Sequence, residues 1–381
     1  MKVLILSMTV GQGHNSASHA LAQYLEKRGH TYEILDTYKF LNKVIGEAFD
    51  KGYTFMGRSI PKLNEYIYKE AERISGKAAM KSYFPFAFSD LFKSKMQKYL
   101  DEHKPDVIVC SIVFSAILLT QLKEAGTLDP KIKLYGIVTD YALHPFWEYT
   151  ALDYFVVANE LMVPSVELRG IRKEKILPIG IPVRECFSSC VLKETARDKL
   201  GLDPDLLTLL ITSGGRGFGA VGELLAQADK MDGVQIVAVC GTNTLLRRKL
   251  ESKKYKNVVR ICGFVNNIDE YIDAADVIVA KPGGLSTSET IAKRKLLVLT
   301  PPLPGVEDIN LVFLINNSMA LATNKHLPLN EVLMQLVRNE EKMAEILKSC
   351  CKWGKPNSSQ ELGDFIEQKF KEDHKIGQIA E

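Results

Sequence analysis

Residue types suited to holding an anion concentrate between Gly263 and Asn310. A short apolar run, Val277 to Ala280, stops at Lys281-Pro282. Gly283 and Gly284 follow, then Leu285, the hydroxyl-rich Ser286-Thr287-Ser288, and Glu289. That order reads as a strand, a tight turn and a helix N-terminus. Such a turn lets the backbone approach a diphosphate, and the first N–H groups and positive dipole end of the helix favour its charge. Glu289 stands where a carboxylate would accept both hydroxyl protons of a ribose. Together these parts make a nucleotide-diphosphate socket. Pro304-Gly305-Val306-Glu307 lies one strand further on, placed to reach whatever the diphosphate carries. Ser286-x-x-Glu289 also fits a plain capping box, which needs no ligand, and both readings stay open.

Three other clusters could act with this socket. The first apolar run ends in Val10-Gly11-Gln12-Gly13-His14, followed by small residues. His14 would sit at a helix N-terminus on the carboxyl edge of a parallel sheet, where open α/β folds bind ligands. A helix N-terminus disfavours imidazolium, so a neutral ring is available as a general base; the alternative is a histidine that only caps its helix. Thr139-Asp140 and His144-Pro145-Phe146-Trp147 follow a run ending at Val138, on the same sheet edge. Asp140 could orient an acceptor hydroxyl or a base, and His144 and Trp147 could shape an acceptor pocket or pack their loop. Ser213-Gly214-Gly215-Arg216-Gly217 opens the second half with another glycine turn, from which Arg216 could neutralise a diphosphate leaving group. Neither glycine turn carries a Walker Lys-Ser/Thr, which argues against ATP hydrolysis.

The elements that must position these residues alternate between strand-like and helix-like segments, which predicts α/β architecture in two doubly wound domains. Strand-like runs in the first half are Val3–Met8, Val107–Ile112, Leu134–Val138, Tyr154–Val157 and Ile176–Ile179. In the second half they are Leu206–Thr212, Val234–Val239, Val258–Cys262, Val277–Ala280, Leu296–Thr300 and Met319–Ala322. Helical patterns close the chain at 329–349 and 358–371. The predicted division is 1–184 and 185–381.

Composition bounds the rest. The chain has 381 residues, 46% of them hydrophobic and 25% charged, and a net charge of +3, too small to imply nucleic acid. No apolar run approaches the ~18 residues of a membrane span. Seven cysteines lack metal-type spacing, and reduced thiols are expected. One segment departs from the alternation. Residues 51–99 hold ten Lys/Arg against four Asp/Glu, and ten of the 32 aromatics. Basic and aromatic residues interleaved on helices suit an anionic membrane surface. The same aromatics would also serve as core for a helical part of the first domain.

The ordered set of motifs resembles the monogalactosyldiacylglycerol synthase and processive diacylglycerol glucosyltransferase family, from about residue 1 to 350. The matching points are Gly11-Gln12-Gly13-His14, Thr139-Asp140 with His144-Pro145 and Trp147, and Gly180-Ile181-Pro182-Val183-Arg184. Gly214-Gly215, Cys240-Gly241-Thr242-Asn243, Gly263-Phe264-Val265, Lys281-Pro282-Gly283-Gly284, Glu289 and Pro304-Gly305 with Glu307 and Asn310 follow in family order. The resemblance implies a GT-B fold, two facing Rossmann-like domains with an interdomain active-site cleft. It implies a UDP-sugar donor, inverting transfer with no metal or other cofactor, and a diacylglycerol-type lipid acceptor met by the first domain at the membrane. By carry-over, His14 is the base, Glu289 holds the ribose and the backbone at Phe264-Val265 the uracil. Gly13 and the residues from Gly283 to Thr287 line the donor site, and Glu307 and Asn310 meet the donor sugar. Two departures stand out: Val306 where the family has Gln, which leaves the donor sugar open, and Lys293-Arg294-Lys295 where it has a Gly-x-Pro turn.

The expected function is hexose transfer from a UDP-sugar to diacylglycerol or a similar lipid, by a cytoplasmic protein peripheral on the inner face of the cell membrane. A UDP-sugar epimerase or hydrolase, and a UDP-sugar-binding regulator without turnover, are the rival readings of the same socket.

Overall fold

The computed structural model describes residues 1–8, 12–41, 81, 84–217, 219–303 and 305–379. Val10, Gly11, Pro304 and most of the basic aromatic segment, 51–80 and 82–83, lie outside the described residues. The chain divides into two compact units, Met1–Glu185 with Asn357–Glu381, and Cys186–Pro356.

The first unit is built on a six-stranded sheet: β1 (Lys2–Ser7), β2 (Thr31–Asp36), β3 (Val107–Cys110), β4 (Lys133–Ile137), β5 (Tyr154–Val156) and β6 (Ile176–Leu177), in the order β2-β1-β3-β4-β5-β6. Every pairing is parallel. Five of these strands coincide with the apolar runs, as expected for parallel strands buried on both faces. β2 is the exception. It is an edge strand, Thr-Tyr-Glu-Ile-Leu-Asp, half-buried at best, so it lacks the continuous apolar signature. The strand order reverses direction at β1 and β3. Their carboxyl ends therefore open a crevice, the topological switch point at which such sheets bind ligands.

Val3 and Ile5, Val107 and Val109, and Tyr135 and Ile137 alternate onto one face of this sheet. They meet Leu21 and Leu25 of the Gln12–Lys27 helix and Leu362 and Ile366 of the Ser358–Ile379 helix, each pair four apart on its helix. The last helix thus belongs to the first unit, although the sequence pattern assigns 185–381 to the second. Polar contacts pin its start: Ser358 Oγ donates to Ile181 O (2.9 Å) and Ser359 Oγ to Val183 O (2.6 Å). Tyr24 Oη donates to Asp364 Oδ1 at 2.7 Å. Gly363 admits the Tyr24 ring, since a Cβ there would stand 2.4 Å from Tyr24 Cδ1. Burial here depends on contacts some 340 residues apart, which no local pattern encodes.

The second unit repeats the plan: β7 (Leu207–Thr212), β8 (Val234–Val239), β9 (Val258–Cys262), β10 (Val277–Ala280), β11 (Leu296–Leu299) and β12 (Leu321–Ala322), in the order β12-β11-β10-β7-β8-β9. All pairings are again parallel. The reversal falls between β7 and β10, the two strands that carry the glycine turns. The 329–349 pattern is two helices, Leu329–Val337 and Glu340–Trp353, because Asn339 caps the second by accepting from Lys342 N at 2.9 Å.

The Lys293-Arg294-Lys295 departure also has a structural account. Arg294 makes the turn in the left-handed region, φ 54°. Lys293 and Asp273 form an ion pair at 2.7 Å with both side chains 1% exposed. Lys293 Nζ also donates to Ser189 O, and Lys295 Nζ to the carbonyls of Asp273 and Ala275. Lysines thus satisfy buried carbonyls in this turn and fasten the Ser189 stretch to the second unit. Removing one partner of such a pair strands a buried charge, although the intact pair adds little net stability.

Docking of the last helix has a direct test. Leu362→Ala should cost about 2–5 kcal/mol, the range for truncating a fully buried leucine. Urea unfolding of the full chain, followed by a probe in the first unit, reads it. An unmoved midpoint would mean that the helix is not part of that core.

Candidate functional site

In the first unit, His14 lies in the opening turn of the Gln12–Lys27 helix, directly after β1. Its Nδ1 is 2.7 Å from the backbone oxygen of Ser111, which follows β3 across the switch point. A carbonyl only accepts, so Nδ1 carries the proton and Nε2 presents a lone pair. Thr139 Oγ1, just beyond β4, lies 3.0 Å from the same nitrogen as a second acceptor. Burial lowers the His14 pKa, against the Asp140 charge and the Ser111 carbonyl, which raise it. The ring is therefore neutral near pH 7, while Asp140 favours the imidazolium that would form on accepting a proton. The structure brings His14, Thr139 and Asp140 to one crevice, as their places on the sheet edge require.

The other first-unit candidates divide. His144 is the N-cap of the Pro145–Tyr149 turn, its Nδ1 accepting from Phe146 N at 3.3 Å. Trp147, for which an acceptor pocket and loop packing were both open, is buried. Its ring occupies the space beside Gly136 in β4, where an added Cβ would stand 2.8 Å away, and packs edge-on against Phe155. Of the basic aromatic segment, part of the described stretch serves packing. Phe84 packs tilted against Phe114 and edge-on against Phe146, Phe92 and Tyr99 are buried, and Lys95 donates to the carbonyls of Phe40 and Leu41. Leu91, Lys81 and Lys98 of the same segment are exposed.

In the second unit the helix after β10 runs from Gly284 to Ala292, and its N-cap is Gly283. Ser286 is therefore inside the helix, and the capping-box reading of Ser286-x-x-Glu289 does not hold. No side chain caps this end. The hydroxyls of Ser286, Ser288 and Thr290 bond backward to carbonyls of Gly283, Gly284 and Ser286. Thr287 Oγ1 is buried with no hydrogen-bond partner. The helix start thus keeps its positive dipole end for an anion. Gly283, Gly284, Leu285, Ser286 and Thr287 form its first turn, with Glu289 one turn further along.

Beside it, the turn after β7 is locked to the loop after β8. Thr242 N donates to Gly215 O (2.9 Å) and Asn243 Nδ2 to Gly217 O (2.9 Å). Asn243 also caps the Thr244–Glu251 helix, accepting from Leu246 N. The two loops touch backbone to backbone: a Cβ on Gly241 would lie 2.4 Å from Gly215 O, and one on Gly217 would lie 2.3 Å from Cys240 O. Only glycine fits either place. Gly214, Gly215 and the half-buried Arg216 are held in this turn. Phe264, after β9 on the same carboxyl edge, is 58% exposed, with Val265 half-buried beside it.

Glu307 and Asn310 lie on the helix that follows β11, Val306–Asn316. Asn310 is fully buried and its Nδ2 donates to Pro282 O at 2.9 Å. It holds the glycine turn from behind. Glu307 accepts from Leu303 N (2.7 Å) and pairs with Lys281 Nζ (3.1 Å). Sequence reasoning missed the Lys281 contact and the Ser111 carbonyl. The first joins residues 26 apart, and the second is a backbone group with no side-chain signal.

Comparison with known proteins follows this geometry. Residues 14–183 match the family model for monogalactosyldiacylglycerol (MGDG) synthase, and residues 208–348 that for the glycosyltransferase family 28 C-terminal domain. A processive diacylglycerol beta-glucosyltransferase of Bacillus licheniformis is 28% identical over 371 residues, 96% of this chain and 94% of that protein. The enzyme of the same description from Bacillus subtilis is 26% identical over 370 residues, 96% and 94% of the two chains. Among solved structures, MurG of Acinetobacter baumannii aligns with a TM-score of 0.61 at 15% identity, covering 96% of this chain and 99% of that one. The glycotransferase of kitacinnamycin aligns at 0.63 and 12% identity, covering 96% and 98%. At these identities the structural likeness speaks for the fold alone.

The His144 environment predicts a pH dependence. Burial, with the Arg169 charge, pushes its pKa down to about 4 from 6.5. The unfolded chain then binds the proton first as pH falls, so this contribution is intact above about 6.5 and is lost between there and about 4. Within that window wild type should lose up to about 1.4 kcal/mol per pH unit more than His144→Asn, which keeps an acceptor for Phe146 N. Urea midpoints of both proteins from pH 4 to 7 check it; parallel curves would place His144 in solvent.

Proposed function

We propose, for a chain that belongs to the monogalactosyldiacylglycerol synthase and processive diacylglycerol glucosyltransferase family and has its GT-B fold of two Rossmann-like units, that it transfers a hexose from a UDP-sugar to the hydroxyl of diacylglycerol. The observation that carries this reading is the His14 hydrogen bond to Ser111 O, which leaves Nε2 able to take a proton. In the proposed step Nε2 removes the acceptor hydroxyl proton as that oxygen attacks the anomeric carbon. The bond from that carbon to the diphosphate oxygen breaks, and UDP departs with the electron pair. Attack opposite the leaving group turns an α-linked donor into a β-glycoside. Asp140 stabilises the imidazolium. The Gly283 helix start and Arg216 meet the charge on the departing diphosphate, the place a metal ion takes in other transferases. Glu289 holds the ribose, and Phe264-Val265 flank the base.

The relatives' descriptions as beta-glucosyltransferases support glucose as the sugar and a β product. A diacylglycerol acceptor lies in a bilayer. Among the described residues no helix is long and apolar enough to cross one, so the enzyme would work from the surface, at the inner face of the cell membrane. The +6 balance of residues 51–99 supports an anionic surface there.

The enzymatic test is UDP release from UDP-glucose in the presence of diacylglycerol vesicles. Wild type should release UDP only when the lipid is present, which separates transfer from hydrolysis, and His14→Ala should slow release by ~10²–10⁴-fold with UDP affinity retained. Release at the wild-type rate by that variant would remove His14 from the mechanism. The socket is tested separately by calorimetry. Glu289→Ala should weaken UDP binding by about 1.5–3 kcal/mol, and unaltered affinity in a folded variant would assign the ribose elsewhere.

A further inference from the structure

Between the two glycine turns of the second unit stands the first residue of the Lys281-Pro282-Gly283-Gly284 motif, a lysine to which the proposed mechanism gives no part. Lys281 directly follows β10 and precedes the N-cap Gly283 by two residues. Its stem lies against the other glycine turn, since a Cβ on Gly219 would be 3.6 Å from Lys281 Cδ. Its side chain is only 14% exposed, and its ammonium is 3.1 Å from Glu307 Oε1. Glu307, 16% exposed, is itself fixed through Oε2 by the Leu303 N–H. Asn310, on the same helix as Glu307, holds the Pro282 carbonyl, so the strand end, the turn and the carboxylate are tied together.

A largely buried cation is costly without a defined partner, and this one is placed beside an uncapped helix N-terminus whose own field already favours an anion. Cation and helix start therefore act in the same sense on a group seated at the switch point of β7 and β10. We propose that Lys281 is a binding residue for the donor diphosphate, and that Glu307 is a positioning residue that keeps its ammonium at the Gly283-Gly284 turn. The proposal rests on the UDP-sugar reading and assigns to Glu307 a role other than contact with the sugar. Glu307 would compensate Lys281 when the site is empty; the diphosphate would share that charge when it is filled.

The test compares UDP with uridine, which carries the same nucleoside and no phosphate, by calorimetry on the full chain. Lys281→Met should lower UDP affinity ~10–100-fold, as expected for loss of a charged hydrogen-bonding partner, while uridine affinity stays at the wild-type value. Lys281→Arg should recover most of the loss. Should Lys281→Met unfold because Glu307 is left unpaired, Lys281→Met/Glu307→Gln removes both charges, and the same comparison applies. Unaltered UDP affinity, or equal losses for UDP and uridine, would make Lys281 a structural ion pair only and overturn the proposal. Wild type binding UDP no more tightly than uridine would overturn it while leaving the nucleoside site standing. Wild type binding neither would remove the donor reading itself.

Discussion

A helix that starts on glycine, with no side chain closing its first turn, is the constraint around which the second unit is arranged. Two helices of this unit are closed by side chains, Asn243 and Asn339 each accepting from an N–H of the first turn, while those starting at Lys193, Val221, Ile268 and Leu329 are not. Nor is the helix that begins after Gly283. The Ser and Thr hydroxyls that could have competed for these donors bond backward along the helix instead. The uncapped end costs stability that a cap would have supplied, ~1 kcal/mol by the usual range. Its position is nevertheless held from three sides. Asn310 grips the carbonyl behind it, Lys281 anchors to Glu307, and the neighbouring Gly214–Gly217 turn is locked by Thr242 and Asn243. Backbone donors held in place from several sides are what electrostatic preorganisation asks for.

The first unit solves a different problem with the same sheet. The proposed base, His14, needs a neutral ring with one nitrogen unprotonated. Burial supplies the first, lowering the His14 pKa. The Ser111 carbonyl supplies the second, by taking the Nδ1 proton. The Asp140 charge opposes the burial effect, which remains the larger of the two. Three elements, the ends of β1, β3 and β4, deliver these groups, and they meet because the parallel order β1-β3-β4 aligns their carboxyl ends. Long-range placement of this kind tolerates little slippage, which accounts for the continuous apolar strands beneath it.

Each unit therefore places its candidate site residues at its own switch point, and the scaffold around each is closed by contacts from distant sequence. In the first, the final helix returns to cover the sheet. In the second, Lys293 and Asp273 form a buried pair beside the Ser189 stretch. The lysine-rich turn that departs from the family pattern is thus a packing solution that replaces a glycine-proline turn by left-handed Arg294 and two carbonyl-binding lysines.

By itself the sequence determined the two α/β units, most strands and the glycine turns. Buried parallel strands are written as unbroken apolar runs, and backbone turns that approach one another require glycine whatever surrounds them. The edge strand β2 escaped because a strand with one partner and one solvated face carries no such run. Only the tertiary structure decided which residues of the motifs face a ligand. Trp147 went to the core because Gly136 leaves a hole for its ring. Asn310 became a brace because Pro282 O lies within its reach. Ser286 proved to be inside its helix because the chain turns helical at Gly284, three residues earlier than the capping pattern suggests. The His14 tautomer is decided by a carbonyl 97 residues away. Side-chain types and local spacing travel with the sequence; hydrogen-bond partners across a sheet exist only once the strands are in register.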